Sequence, residues 1–342
     1  MTQLTYSEAE LLAEHAYQRR QVEAGYRLHG GFDAAGAYIS PRTLRRWPAV
    51  RAWQAALERC GWPLVDASTS LLRRGNYPNF AQQRLLLDLG LGETLWNALT
   101  VTGAVEARGR FLADAAVPDF QSIIVDDIAG TTTGHLGKGL MKAHGLDEGG
   151  NADKGEGGHD IMWYAVRDLL FGREAYPLPE IPPSLARPEQ GRLMPQLPLP
   201  HEQIILLLMN VLMIEIRAEA FFSFCIRLMQ APDVFAERRD AALHAAELVE
   251  RIRQDEAIHV AYLQTAVSEL RSFTFRGAGG ERVPGSALID PVWNGMVRWH
   301  SVTTLEHAQA QKREMIEAQL MALPGGSTHL AAFDAVADRD AV

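Results

Sequence analysis

Ile204-Ile205-Leu206-Leu207-Leu208-Met209-Asn210-Val211-Leu212-Met213-Ile214-Glu215-Ile216-Arg217-Ala218-Glu219-Ala220-Phe221-Phe222 is the stretch on which the fold turns. A helix wound from it carries apolar side chains on every side, and such a helix is buried on all sides. The apolar run 204–214 is about half of the roughly 20 residues that span a bilayer, and it ends against Glu215 and Arg217, so it reads as a core helix rather than a membrane anchor. Glu215 and Glu219 then stand one turn apart inside that core. A buried carboxylate is costly unless a cation or a metal neutralises it. Arg217, two positions from each, faces elsewhere on the same helix, so it would have to reach another element. Pairing with arginine and ligation of a metal are both open readings of the two glutamates.

Outward from this helix the periodicity stays helical. A second long helix is expected over 233–273, and the short Ala231-Pro232-Asp233 link, with Asp233 as cap, makes the two antiparallel neighbours. Upstream, the prolines at 177, 182, 183, 188, 195, 198 and 200 predict an extended crossover. Before it, a helix is expected over 159–171 and another over 92–116, ending ahead of Pro118 and carrying Glu106 in its second half. The segment 130–158 holds ten glycines and is expected to be loop-rich, with one short helix near 136–144. Ser7 opens a first helix, Gly30-Gly31 breaks the chain, and another helix follows Ser40-Pro41; these are expected to pack outside the main core. A last long helix is expected over 291–321, with a loosely held tail from Pro324. The division is therefore an N-terminal helical extension (1–90), a helical bundle (91–275) and a C-terminal helix with tail (276–342).

Composition narrows the function. Hydrophobic residues make up 47% of the 342 and charged residues 22%, the balance of a globular protein. A net charge of −9 and arginines scattered in pairs (Arg19-Arg20, Arg45-Arg46, Arg73-Arg74) argue against nucleic acid as a partner. Cys60 and Cys225 are the only cysteines and lie far apart, so no thiolate zinc site or disulfide framework is expected and a reducing cytoplasm fits. The first residues lack the layout of a signal peptide.

The second long helix carries Glu256-x-x-His259, two side chains that point the same way and can grip one ion. Glu156-x-x-His159 repeats the spacing upstream, although so short a motif arises readily by chance. Order along the chain carries more weight: Glu106, then Glu156-x-x-His159, then Glu215 or Glu219, then Glu256-x-x-His259. Over about residues 92–273 this resembles the ferritin-like diiron-carboxylate superfamily, whose four helices bear a Glu or Asp, a Glu-x-x-His, a Glu and a second Glu-x-x-His. The resemblance implies an all-α fold, a ferritin-like four-helix bundle with added helices at both ends. It implies two iron ions, with manganese or a mixed pair as alternatives. Glu106, Glu156 and His159 would serve one ion, Glu215 or Glu219 with Glu256 and His259 the other, and Glu156 and Glu256 would bridge.

Gly157 and Gly158 sit inside the first pair and place Glu156 at or before the helix start. Asp126, Asp127, His135 and His144 are then alternative ligands. Position relative to the turn near 231–235 favours Glu215 over Glu219. The run 130–139 resembles a phosphate loop but lacks its full pattern and reads as a flexible cover. His300, Glu306 and His307 read as core or surface residues, and Tyr164, Tyr262 and Trp163 as core aromatics.

The expected function is O2-dependent oxidation or oxygenation of a small organic substrate, with an electron-donor protein and a homodimer as possible partners. A second reading is an HD-type metal phosphohydrolase built on His159-Asp160 with His135 or His144 and Asp255. A third is a metal-free helical scaffold whose glutamates pair with arginines.

Overall fold

The computed structural model describes residues 3–72, 76–183, 187 and 191–337, with the backbone alone at 303–308. Arg73, Arg74, Pro188 and the side chains of Glu306 and His307 therefore lie outside the described residues. Helices dominate the chain.

The N-terminal ninety residues are not purely helical. α1 (Glu8–Leu11), capped by a reciprocal Ser7–Glu10 box, leads into β1 (Arg19–Glu23), β2 (Tyr26–Phe32) and β3 (Tyr38–Ile39), a three-stranded antiparallel sheet. Gly30 and Gly31 lie within β2 rather than breaking the chain, because the rings of Tyr38 and Tyr17 fill the space a side chain would need there. α2 (Thr43–Arg59) and α3 (Phe80–Asp88) follow. The expectation that this segment packs outside the core is corrected by burial: Leu11, Val50 and Trp53 belong to the same apolar cluster as Met209, Leu212 and Leu263.

Four helices frame the centre of the molecule: α4 (Glu93–Gly109), then, after the short α5 (Leu140–Gly149), α6 (His159–Phe171), α7 (Leu199–Gln230) and α8 (Arg239–Ser272). α4 packs on α6, α6 on α8 and α8 on α7, while α5 touches α4, α6 and α8. Asp233 does not cap α8, because Phe235 turns through a left-handed conformation and one turn of 3-10 helix (Ala236–Arg238) intervenes. β4 (Thr274–Arg276) and β5 (Arg282–Pro284) form a hairpin. α9 (Gly285–Arg298) begins earlier than the sequence predicts and is joined to α10 (Thr304–Met321) by a π-helical turn, Trp299–Thr303. The tail is not loose: α11 (Gly326–Ala335) buries Phe333 completely against Leu86, Ile316 and Leu320. Among the described residues no helix is long and apolar enough to cross a membrane.

The core has a seam. One apolar cluster takes α7 up to Ile216 and α8 from Ile258 onward; the other takes α7 from Phe222 and α8 back from Ile252. Between them lies a polar layer holding Glu215, Glu256 and His259. Two long apolar helices with charged residues at matching heights fold so that those charges meet each other rather than oil.

Candidate metal centre

Seven acidic and imidazole side chains meet in that layer. Their donor atoms form two groups, each with all atoms within 4.8 Å of one another: His144, Glu148, Glu215 and His259, and Glu106, Glu148, His159 and Glu256. Glu148 belongs to both. Glu256 also faces both sides, with Oε1 2.9 Å from His159 Nδ1 and Oε2 2.6 Å from His259 Nδ1. His144 Nε2 lies 3.1 Å from Glu148 and 3.2 Å from Glu215. Glu106 is partly buried and the other six are buried.

Each helix contributes for a local reason. α5 presents His144 and Glu148 at i and i+4, on one face of one turn. α8 presents Glu256 and His259 at i and i+3. His159 is the first residue of α6 and is fixed by the strand before it, since the amide of Gly157 donates to Arg27 O and Gly157 O accepts from the amide of His29.

α5 can approach because its glycines have no side chains. A Cβ on Gly145 would lie 2.3 Å from the amide nitrogen of Ala113, and one on Gly109 would lie 2.6 Å from Cγ of Glu148. The glycine-rich stretch is thus close packing, not a flexible cover. Its phosphate-loop-like start is also spoken for: the amides of Thr132 and Thr133 donate to the buried Glu269 carboxylate at 2.9 and 2.7 Å.

A second ring of side chains orients the imidazoles. His259 turns Nδ1 inward, and its Nε2 meets Asp147 at 2.9 Å; Asp147 is clamped by the buried Arg42 and by Arg46 at 2.6 Å. His159 likewise turns Nδ1 inward and meets Asp255 through Nε2 at 3.3 Å. Asp255 also receives His29 Nε2 at 3.1 Å and the Tyr38 hydroxyl at 2.9 Å. His144 Nδ1 lies 2.8 Å from the Tyr262 hydroxyl. Imidazoles whose outer nitrogen is held by a carboxylate or hydroxyl, leaving the inner lone pair free, are the arrangement that metal sites use.

The inner atoms do not satisfy one another. Glu148 Oε1, Glu256 Oε1 and His159 Nδ1 are fully buried and make no hydrogen bond of proper geometry, despite their short separations. Their lone pairs converge on shared space instead.

Protonation follows the same logic. Burial, reinforced by Glu148, raises the Glu106 carboxyl well above the usual range; burial, reinforced by Glu256 and Glu148, does the same to Glu215. Burial opposes charge on Glu148 as well, but the Glu106 carboxyl and the His144, His159 and His259 imidazoles around it outweigh it and hold that carboxylate well below the usual range. Burial would also neutralise His159 and His259, yet Glu256 and the neighbouring carboxylates raise both well above an ordinary imidazole. Burial lowers His144.

Of the residues the sequence points to, Glu106, His159, Glu215, Glu256 and His259 are brought together. Glu156 is not: its carboxylate lies 2.8 Å from Arg27 and 3.7 Å from Arg20, because it precedes α6 instead of riding on it. Glu219 pairs with Arg253 at 2.9 Å near the surface. Of the alternatives, His144 is in the cluster; His135 accepts from the Tyr6 amide and lies tilted against the Trp53 ring, and Asp126 and Asp127 bind backbone amides. Asp160 accepts from the amides of Gly158 and Ile161, outside the cluster. Glu148 escaped the sequence reading, although His144-x-x-x-Glu148 carries the one-turn spacing that marks it. Comparison with protein-family models, curated proteins and solved structures found no match to this chain.

Proposed function

We propose that the chain is a non-haem diiron protein of ferritin-like architecture that uses dioxygen to oxidise a small organic substrate. The observation carrying this reading is the convergence of three unpartnered buried donor atoms, Glu148 Oε1, Glu256 Oε1 and His159 Nδ1, at the junction of two four-residue donor groups. Three imidazoles and four carboxylates are a mixed nitrogen and oxygen set that suits iron or manganese better than magnesium, calcium or a thiolate-bound zinc. Four glutamates also match the charge of two divalent ions.

A bound iron pair supplies electrons for the reduction of dioxygen. The chain's own residues do the rest. Glu148 and Glu256, each facing both halves, would hold both ions. Asp147 and Asp255 keep His259 and His159 aimed inward. Glu106 and Glu215, whose carboxyl pKa values burial and neighbouring carboxylates raise, would be the ligands that most readily hold and release a proton. Beside Glu215, the apolar α7 stripe Leu207, Val211, Ile214, Ala218 and Phe221 remains only partly buried and can border a substrate chamber that excludes bulk water. The hydrolase reading loses support because Asp160 faces backbone amides, and the scaffold reading because Glu215 has no arginine beside it among the described residues.

The test is dioxygen uptake after anaerobic loading with Fe(II). Loaded protein is expected to consume dioxygen faster than free Fe(II), and the Glu148→Ala variant to show no enhancement. Uptake equal to free Fe(II), or hydrolysis of p-nitrophenyl phosphate by the manganese-loaded protein, would overturn the reading.

A further inference from the structure

Two residues beyond Glu215, and so about 200° further round α7, stands Arg217. Between the two, on the shorter way round the helix, runs the partly exposed stripe Leu207, Val211, Ile214, Ala218 and Phe221, spaced by alternate fours and threes. The glutamate and the arginine thus border one apolar strip on opposite sides.

The surroundings of Arg217 are unusual. It is only partly buried, and among the described residues no carboxylate lies within ion-pair distance of it. Its Nη1 donates to His300 Nδ1 at 3.4 Å. His300 is fully buried in the π turn Trp299–Thr303, where its ring meets Trp299 edge-on with centroids 4.7 Å apart. Burial and the charge of Arg217 push the imidazole down to about 3, so His300 stays neutral and acts as an acceptor. A second cation, Lys312 of α10, is exposed. Its Nζ reaches Tyr77 O at 3.3 Å, and it has no carboxylate partner among the described residues. A π turn inside a helix costs hydrogen bonding and tends to occur where function needs a side chain aimed. A guanidinium that meets a neutral imidazole and, among the described residues, no acid is a charge that an anion would balance.

We propose that Arg217, positioned by His300, binds the carboxylate of the substrate, whose apolar body lies along the α7 stripe toward Glu215 and the ions. A carboxylate fits the guanidinium in a planar two-point grip, and the stripe requires that the remainder be hydrocarbon or aromatic. The substrate class is an apolar monocarboxylic acid. The oxidation of that acid rests on the diiron reading; its binding does not.

The experiment is calorimetric titration of the metal-free and the Fe(II)-loaded protein with benzoate, hexanoate, their amides and inorganic phosphate, on wild type, Arg217→Met, Arg217→Lys and His300→Phe. At least one carboxylate should bind both forms more tightly than its amide. Arg217→Met should weaken that binding about 10- to 100-fold, the worth of a charged hydrogen-bonded contact, with Arg217→Lys and His300→Phe in between. Arg217→Met should also melt at a higher temperature than wild type, since it removes an unpaired cation rather than a structural ion pair. Equal binding of acid and amide, binding of phosphate alone, or Arg217→Met binding like wild type would overturn the proposal. Failure to load iron would instead count against the diiron reading and leave the carboxylate result standing on its own.

Discussion

Glu148 is the side chain on which both halves of the centre depend, since its carboxylate stands in each donor group, 3.1 Å from His144 and 3.2 Å from His259. Glu148→Ala is expected to reduce bound iron from two ions per chain to fewer than about one, as a missing shared ligand affects both ions. Glu156→Ala and Glu219→Ala should retain the wild-type content, because their carboxylates serve Arg27 and Arg253. Inductively coupled plasma mass spectrometry on the purified variants checks this, and iron loss in Glu156→Ala with retention in Glu148→Ala would reverse the assignment. The contrast also explains what the sequence made legible. Glu215, Glu256 and His259 stand out because a charge on an otherwise apolar helix face is an anomaly that demands a partner. Glu148 is hidden at the end of a short helix, where Gly149 and Gly150 mask the helical period. Glu156 misleads for the opposite reason: Glu-x-x-His spacing brings two side chains together only on a helix, and α6 begins at His159.

At the scale of elements, α5 decides whether the centre closes. It supplies two donors and the orienting Asp147, and it lies against residues 110–114 only because Gly145 presents no side chain. Gly145→Ala would force its Cβ against the Ala113 amide, which cannot move as a side-chain tip can. We expect this variant to lose ~1–3 kcal/mol of stability through overpacking and to bind iron more weakly, although no ligand is changed. Denaturant titration and iron content measured together test this; a variant with wild-type iron affinity and lower stability would show that α5 only packs. Glycine was read from sequence as looseness, yet here it permits contact, and composition alone does not separate the two. The long helices were legible because their apolar period persists over many turns. The strands β1–β3 were not, being short, partly exposed, and held by pairing with one another and by the Leu28–Gly157 bridge.

Over the whole molecule, two apolar clusters enclose one polar layer, and the layer's charge is the quantity that must balance. Burial and nearby carboxylates raise the carboxyls of Glu106 and Glu215, and the carboxylates around His159 and His259 raise both imidazoles against the opposing effect of burial. Two divalent ions would compete with protons for these groups and would match the charge of the four glutamates. Because all four groups have raised pKa values, metal affinity should climb as pH rises. The N-terminal sheet and α2, far away in sequence, take part in this balance by supplying His29, Arg42 and Arg46 to the outer ring. The most direct test is anaerobic calorimetric titration of the metal-free protein with Fe(II) at pH 7, in buffers of different ionisation enthalpy. The account predicts two ions bound per chain with net release of protons. Binding of a single ion, or of none, or saturation without proton release, would contradict it.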